Sequence, residues 1–158
     1  VLMAPLIQLP PALLPPRVLL PLLQTAAVLF PRGRIPGSSA VQLEQWKAAF
    51  GDASFAEAAH TDPLFTLDAP RLHLLRLLPV WDELHSHLQD ITTPFLVLHS
   101  PDDPRTCAAG SRELLQRAAS SDKELMLVPE GRHMLFQDQP DVTARVVTHV
   151  AKWLITRC

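Results

Sequence analysis

Cysteine is scarce in this chain: Cys107 and Cys158 are the two thiols among 158 residues, and they have neither metal-ligand nor redox spacing. A disulfide framework is excluded, and the reading favours a reducing, cytoplasmic setting. Runs of like charge are missing as well. The 14 basic and 16 acidic residues are mixed along the chain for a net charge of −2, which leaves no basic surface for a polyanion. Nucleic acid is therefore set aside as a partner. Of the five glycines, only Gly33 and Gly37 stand four apart, and Ile35 lies between them. The chain thus has no G-x-S-x-G, the sharp strand-to-helix turn that exposes a serine nucleophile. Long apolar runs are absent too. From Val1 to Phe30 the only charge is Arg17, but Pro5, Pro10, Pro11, Pro15, Pro16 and Pro21 divide the stretch. Its longest proline-free run, Leu22 to Phe30, is far below the ~20 residues a spanning helix needs. A charged start and a small-residue cleavage site, the marks of a signal peptide, are also lacking.

What is present suits one soluble globular core: 47% of the residues are hydrophobic and 19% charged. The opening Val1-Leu2-Met3-Ala4 reads as a buried strand with no methionine before it, so the chain is expected to be the C-terminal part of a longer protein. The apolar residues that follow read as short, proline-broken helices. Two roles stay open for them: touching lipid or a ligand, at most as peripheral membrane contact, or packing on a core outside this stretch.

Composition divides the chain near Asp90. Before it, Val41 to Phe50 and Arg71 to Leu88 carry apolar residues at helical spacing, punctuated by Gly33, Pro36-Gly37, Gly51-Asp52 and Asp62-Pro63. After it the pattern alternates. Phe95 to His99 is a short apolar strand, Ala108 to Ala119 a helix, Glu124 to Val128 a second strand, and Gln139 to Ile155 a closing helix with Asp138 as its expected cap. The apolar face expected for the last helix is Val142, Val146, Val147, Val150, Trp153 and Leu154.

Strand, helix, strand over so short a span is a βαβ unit with parallel strands. Ligands of such sheets gather at the carboxyl ends of the strands, and Asp103 and His133 follow those two strands directly. A histidine titrating near neutrality can take a proton from a hydroxyl and return it to a leaving alcohol, and a buried carboxylate on its other nitrogen fixes the tautomer. The chain therefore offers an acid and a base without a nucleophile.

The stretch Thr93-Pro94-Phe95-Leu96-Val97-Leu98-His99-Ser100-Pro101-Asp102-Asp103, with Ser111-Arg112-Glu113-Leu114 after it, resembles the acid segment of monoacylglycerol lipases and lysophospholipase-like α/β hydrolases (serine aminopeptidase S33, hydrolase-4), P-F-L-V-L-H-G-x-x-D followed by a helix. Ser121-Asp122-Lys123-Glu124-Leu125 is similar to that family's S-x-D-K strand start, and Gly131-Arg132-His133-Met134-Leu135 to its histidine loop. Upstream, Val1-Leu2-Met3-Ala4-Pro5 resembles the strand after the nucleophile helix, and Asp62-Pro63-Leu64 with Pro70-Arg71-Leu72 a stretch of the cap.

The resemblance implies an α/β fold: the C-terminal portion of an α/β hydrolase, a parallel sheet with flanking helices, carrying a helical cap insertion. Residues 1–5 would be a core strand, 6–90 the cap over an acyl pocket, and 91–158 the C-terminal core with the acid and histidine loops. It implies a carboxylic ester hydrolase acting on a monoacylglycerol-like lipid through serine, His133 and Asp103, without metal or organic cofactor. The family's glycine before the acid is Ser100 here, Pro101 and Pro104 bracket two adjacent carboxylates, and Gly131 is one place closer to the histidine than usual. Asp102 therefore stays open as an alternative acid. Since nucleophile and oxyanion hole would both precede Val1, the segment by itself is expected to be inactive and to fold poorly. The competing reading is a truncated or degenerate hydrolase that binds an apolar ligand or a partner, with the edge of its first strand unpaired.

Other candidates read as structural. His85 and His87, two apart on a helix, face different ways and read as a solvated face without a third metal ligand. Cys107 reads as a small residue at a helix start, Ser38 and Ser39 as loop, the leucines from Leu72 to Leu78 as core, and His99 as a packed strand end.

Overall fold

The computed structural model describes residues 1–11, 14–33, 46–64 and 72–157. Its frame is a three-stranded parallel sheet in the order β1 (Leu2–Met3), β2 (Phe95–His99), β3 (Lys123–Leu127). Leu2 is in register with Val97, and Phe95 with Lys123. Helix α4 (Ala108–Arg117) links β2 to β3, and α5 (Pro140–Ile155) closes the chain. The βαβ unit read from the sequence is therefore present, with β3 starting and ending one residue earlier than expected.

All five residues of β2 are buried, which explains its unbroken apolar run: a strand covered on both faces has no polar side to present. Strand alternation divides its side chains. Leu96 and Leu98 point to a core made with Val128, Leu135, Val142, Val146 and Trp153, mostly from α5. Phe95 and Val97 meet Ile7, Leu88, Leu114 and Ala118 on the α4 side. The sheet lies between two helical layers.

Several expectations need correction. β1 is not a buried strand: it lies at the edge of the described sheet, paired on one side, and Val1 and Leu2 are half exposed. The chain turns inward just after it, at Ala4 and Ile7. On α5, Val142, Val146 and Trp153 are buried and Val150 packs beside them, but Val147 and Leu154 face solvent. The residue capping α5 is Gln139, not Asp138, whose carboxylate is engaged by the preceding loop. The leucine-rich stretch to Leu88 is not one helix either. It opens as a 3₁₀ segment, Leu72–Leu77, and becomes α-helical (α3) only at Leu78–His87, because Pro79 lacks the N–H that would continue a ladder and fits only a first turn.

Pro21 likewise sits in the first turn of α1 (Leu20–Leu29). Ala27 of α1 packs on Leu75, while Val18, Leu22, Val28, Leu29 and Phe30 are each about two-thirds exposed or more. Helix α2 (Ala53–Thr61) starts at Asp52, whose carboxylate accepts from Ser54 N–H at 2.8 Å. Of the stretch expected to be helical from Val41, residues 46–49 are helical and 41–45 lie outside the described residues, as do Ser38, Ser39, Pro70 and Arg71.

Candidate active site

The loop from Ser100 to Cys107 begins where β2 ends, and its turn is made by Asp103. One carboxylate oxygen, Oδ1, accepts from the backbone N–H of Arg105 at 2.7 Å and of Thr106 at 3.1 Å. The short acidic side chain thereby closes a turn on its own loop. The other oxygen, Oδ2, accepts from the Thr106 hydroxyl at 2.8 Å and meets His133 Nδ1 at 2.8 Å. The carboxylate is fully buried, whereas the His133 side chain keeps 22% of its surface exposed. It is Asp103, and not the exposed Asp102, that reaches the histidine.

Burial by itself pushes the Asp103 carboxyl up, but the bond from His133, the Arg105 N–H and the Thr106 hydroxyl outweigh it and hold the group below the usual carboxylate range. An ionised carboxylate only accepts, so the proton of a neutral His133 belongs on Nδ1 and the lone pair on Nε2. Among the described residues nothing bonds to that Nε2. A histidine so held can act as a base toward a group arriving from outside.

Three further features fix the pair, in roles that the sequence did not reveal. Asp138 is buried and takes Arg132 N–H at 2.5 Å and Gln139 N–H at 2.8 Å, tying both ends of the histidine loop. Gly131 is required by close packing: a Cβ there would lie 2.5 Å from Leu135 Cδ2 and 2.9 Å from Val128 Cγ1. The stretch around residues 46–52 touches both loops. Arg105 lies 5.0 Å above the Trp46 ring, Met134 N–H bonds Ala49 O at 2.9 Å, and the Gln139 amide bonds Gly51 O.

Other histidines are placed differently. His87 pairs with Asp90 at the surface, but His85 is not solvated as expected. It sits between Glu113 at 3.1 Å and Ile7 O at 3.0 Å, joining α3 to α4. His99 is buried as expected. Cys107 is the N-cap residue of α4, with its N–H on Gln8 O at 2.8 Å. No group of three or more His, Cys, Asp or Glu among the described residues could hold a metal ion, and no helix among them is long and apolar enough to cross a membrane.

A parallel sheet between helical layers, with a carboxylate and a histidine meeting beyond adjacent strands, defines the C-terminal architecture of an α/β hydrolase. The family model for serine aminopeptidase, S33 (Hydrolase_4) matches residues 1–140, and the chain belongs to that family. Its fold is similar to that of a monoacylglycerol lipase from Paleococcus ferrophilus, with a TM-score of 0.79 over 99% of this chain and 58% of that one at 20% identity. Among curated proteins it is 36% identical to a monoglyceride lipase of Saccharomyces cerevisiae over 62 residues, and 32% identical to a caffeoylshikimate esterase of Arabidopsis thaliana over 79 residues. The aligned stretches cover 39% and 49% of this chain, and only 20% and 24% of those proteins.

Proposed function

We propose that the chain supplies the acid and base of a serine ester hydrolase, with His133 as general base and Asp103 as the carboxylate that orients it. The observation carrying this reading is the 2.8 Å bond from His133 Nδ1 to a fully buried Asp103 oxygen, with the imidazole partly exposed. In the reaction a serine oxygen attacks the ester carbonyl while His133 Nε2 takes its proton. The same proton then goes to the leaving alcohol as the acyl–oxygen bond breaks, and water repeats the sequence to release the acid. Asp103 stays ionised and stabilises the imidazolium. Residues 1–158 contain no G-x-S-x-G, so the nucleophile and its oxyanion hole are assigned to a segment outside them. The alignments span 20% and 24% of the curated relatives and 58% of the Paleococcus ferrophilus lipase, which leaves room for such a segment.

The substrate class proposed is a monoacylglycerol-like ester. Support comes from the similarity to proteins named as monoglyceride lipases and from the apolar residues α1 leaves exposed. Residues 6–90 would form a helical cap that receives the acyl chain and rests against membrane lipid peripherally. The test is to read the coding sequence upstream of Val1 in frame and assay the encoded protein on glycerol, phospholipid and phenolic esters. A serine elbow and hydrolysis of the glycerol ester are expected. Turnover of phenolic esters alone would replace the substrate class, and an elbow without serine would end the catalytic reading.

That last outcome would leave the second reading, a non-catalytic module for an apolar ligand or partner. In that reading the exposed Val18, Leu22, Val28, Leu29 and Phe30 would meet the ligand or partner.

A further inference from the structure

His99 ends β2 one turn of chain from the acid, and it is fully buried in polar company. Its Nδ1 lies 2.7 Å from the Ser111 hydroxyl, which is also fully buried. Its Nε2 faces Thr106 Oγ1 at 3.2 Å, Thr106 O at 3.4 Å and Asp103 Oδ2 at 3.5 Å. The protons can be assigned from these partners. Thr106 gives its hydroxyl hydrogen to Asp103 at 2.8 Å, with Ala4 O a longer alternative at 3.3 Å. Every atom facing Nε2 is therefore an acceptor, and Nε2 must carry the ring proton. Nδ1 is then the lone pair, and the Ser111 hydroxyl donates to it. Burial also pushes His99 below the ordinary histidine range, against the pull of Asp103, which keeps the ring neutral.

We propose that His99 is a positioning residue for the Asp103–His133 pair, its Nε2–H, oriented by Ser111, holding Thr106 Oγ1 and Asp103 Oδ2 at the angle from which Oδ2 receives His133. The inference rests on the acid–base reading above. It adds a second histidine, Thr106 and Ser111 to the group that fixes the acid. A fully apolar residue in place of His99 would fill the same space between β2 and α4 but would remove the Nε2–H that aims Thr106 Oγ1, and through it Oδ2. Glutamine, whose amide N–H2 can stand near the Nε2 position, would preserve the donor.

The test is ¹H–¹⁵N NMR of the imidazole rings in the whole protein encoded in frame through residues 1–158, wild type and with His99→Leu and His99→Gln. Two signatures are expected of the wild type: a neutral His99 with its proton on Nε2, and an exchange-protected His133 Nδ1–H resonance from the bond to Asp103. His99→Leu should lose the protected His133 resonance, and His99→Gln should restore it. Persistence of that resonance in a folded His99→Leu chain overturns the proposal while leaving the acid–base reading intact. Its absence from the wild type would remove the acid–base reading itself. Should His99→Leu not fold, the wild-type tautomer decides, because a proton on Nδ1 or a charged His99 overturns the proposal without any variant.

Discussion

Replacing Asp103 by alanine should destabilise the chain heavily, and the structure says by how much. The carboxylate accepts four hydrogen bonds from inside the protein, from Arg105 N–H, Thr106 N–H, the Thr106 hydroxyl and His133. In Asp103→Ala the Thr106 hydroxyl still has Ala4 O at 3.3 Å, and the partly exposed His133 can turn to water. The two backbone N–H groups have no such substitute in a loop closed around them. At about 1–3 kcal/mol for each of the two donors left unpaired, the loss should be about 2–6 kcal/mol near neutral pH. Since the folded-state pKa of Asp103 lies below its unfolded value of ~3.9, its charge-dependent stabilisation is complete above that value and is lost as pH falls through the folded one. Urea unfolding of both chains at pH 7 and again near pH 3 measures the difference. A gap under about 0.5 kcal/mol at pH 7, far below the cost of one orphaned buried donor, would show that the carboxylate does not hold the loop, and a gap that widens in acid would show that its charge does not stabilise the fold.

Gly131→Ala should cost about 1–3 kcal/mol and disturb the His133 loop, because the added methyl meets Leu135 and Val128 in a closed core; thermal unfolding with an NMR comparison of residues 128–139 reads both effects. His85 should make the α3–α4 contact pH-sensitive. Its bonds to Ile7 O and Glu113 raise its pKa, so its contribution is full below the ordinary histidine value of about 6.5 and is lost as pH rises through the raised one. Amide protection in α3, corrected for intrinsic exchange, should therefore fall on the alkaline side, and pH-independent protection in His85→Gln would confirm the source. Leu98→Ala, truncating a side chain with no exposed surface, should cost about 2–5 kcal/mol by urea unfolding.

The core strands were the most legible part of the sequence, and for a physical reason. A strand covered on both faces, such as Phe95–His99, shows as an apolar run, although Val1–Ala4 carries the same signal and lies half exposed at the sheet edge. Asp103 and His133 were legible because loops after parallel strands converge, and the structure brings them to 2.8 Å. Other features depended on partners distant in sequence. Asp138 read as a helix cap because it precedes Pro140, yet its carboxylate is held by Arg132, and no local signal reveals that. His85 read as solvated because helical spacing says nothing of Glu113 or Ile7 O. His99 was recognised as packed, but its polar surroundings follow from α4 lying against β2 and from Thr106 folding back toward it. Pro79 and its consequence were local, and the leucine periodicity across it obscured them.

In the mechanism proposed, His133 moves the proton in ester hydrolysis with Asp103 behind it. The measurement that tests it most directly is the turnover of a monoacylglycerol by the protein encoded in frame through this segment, wild type against His133→Ala and Asp103→Asn. A fall on the order of 10³ or more is expected for each variant, with a double variant scarcely worse than the histidine change alone, since members of such a group act as a unit. Turnover near the wild-type rate in either single variant would contradict it.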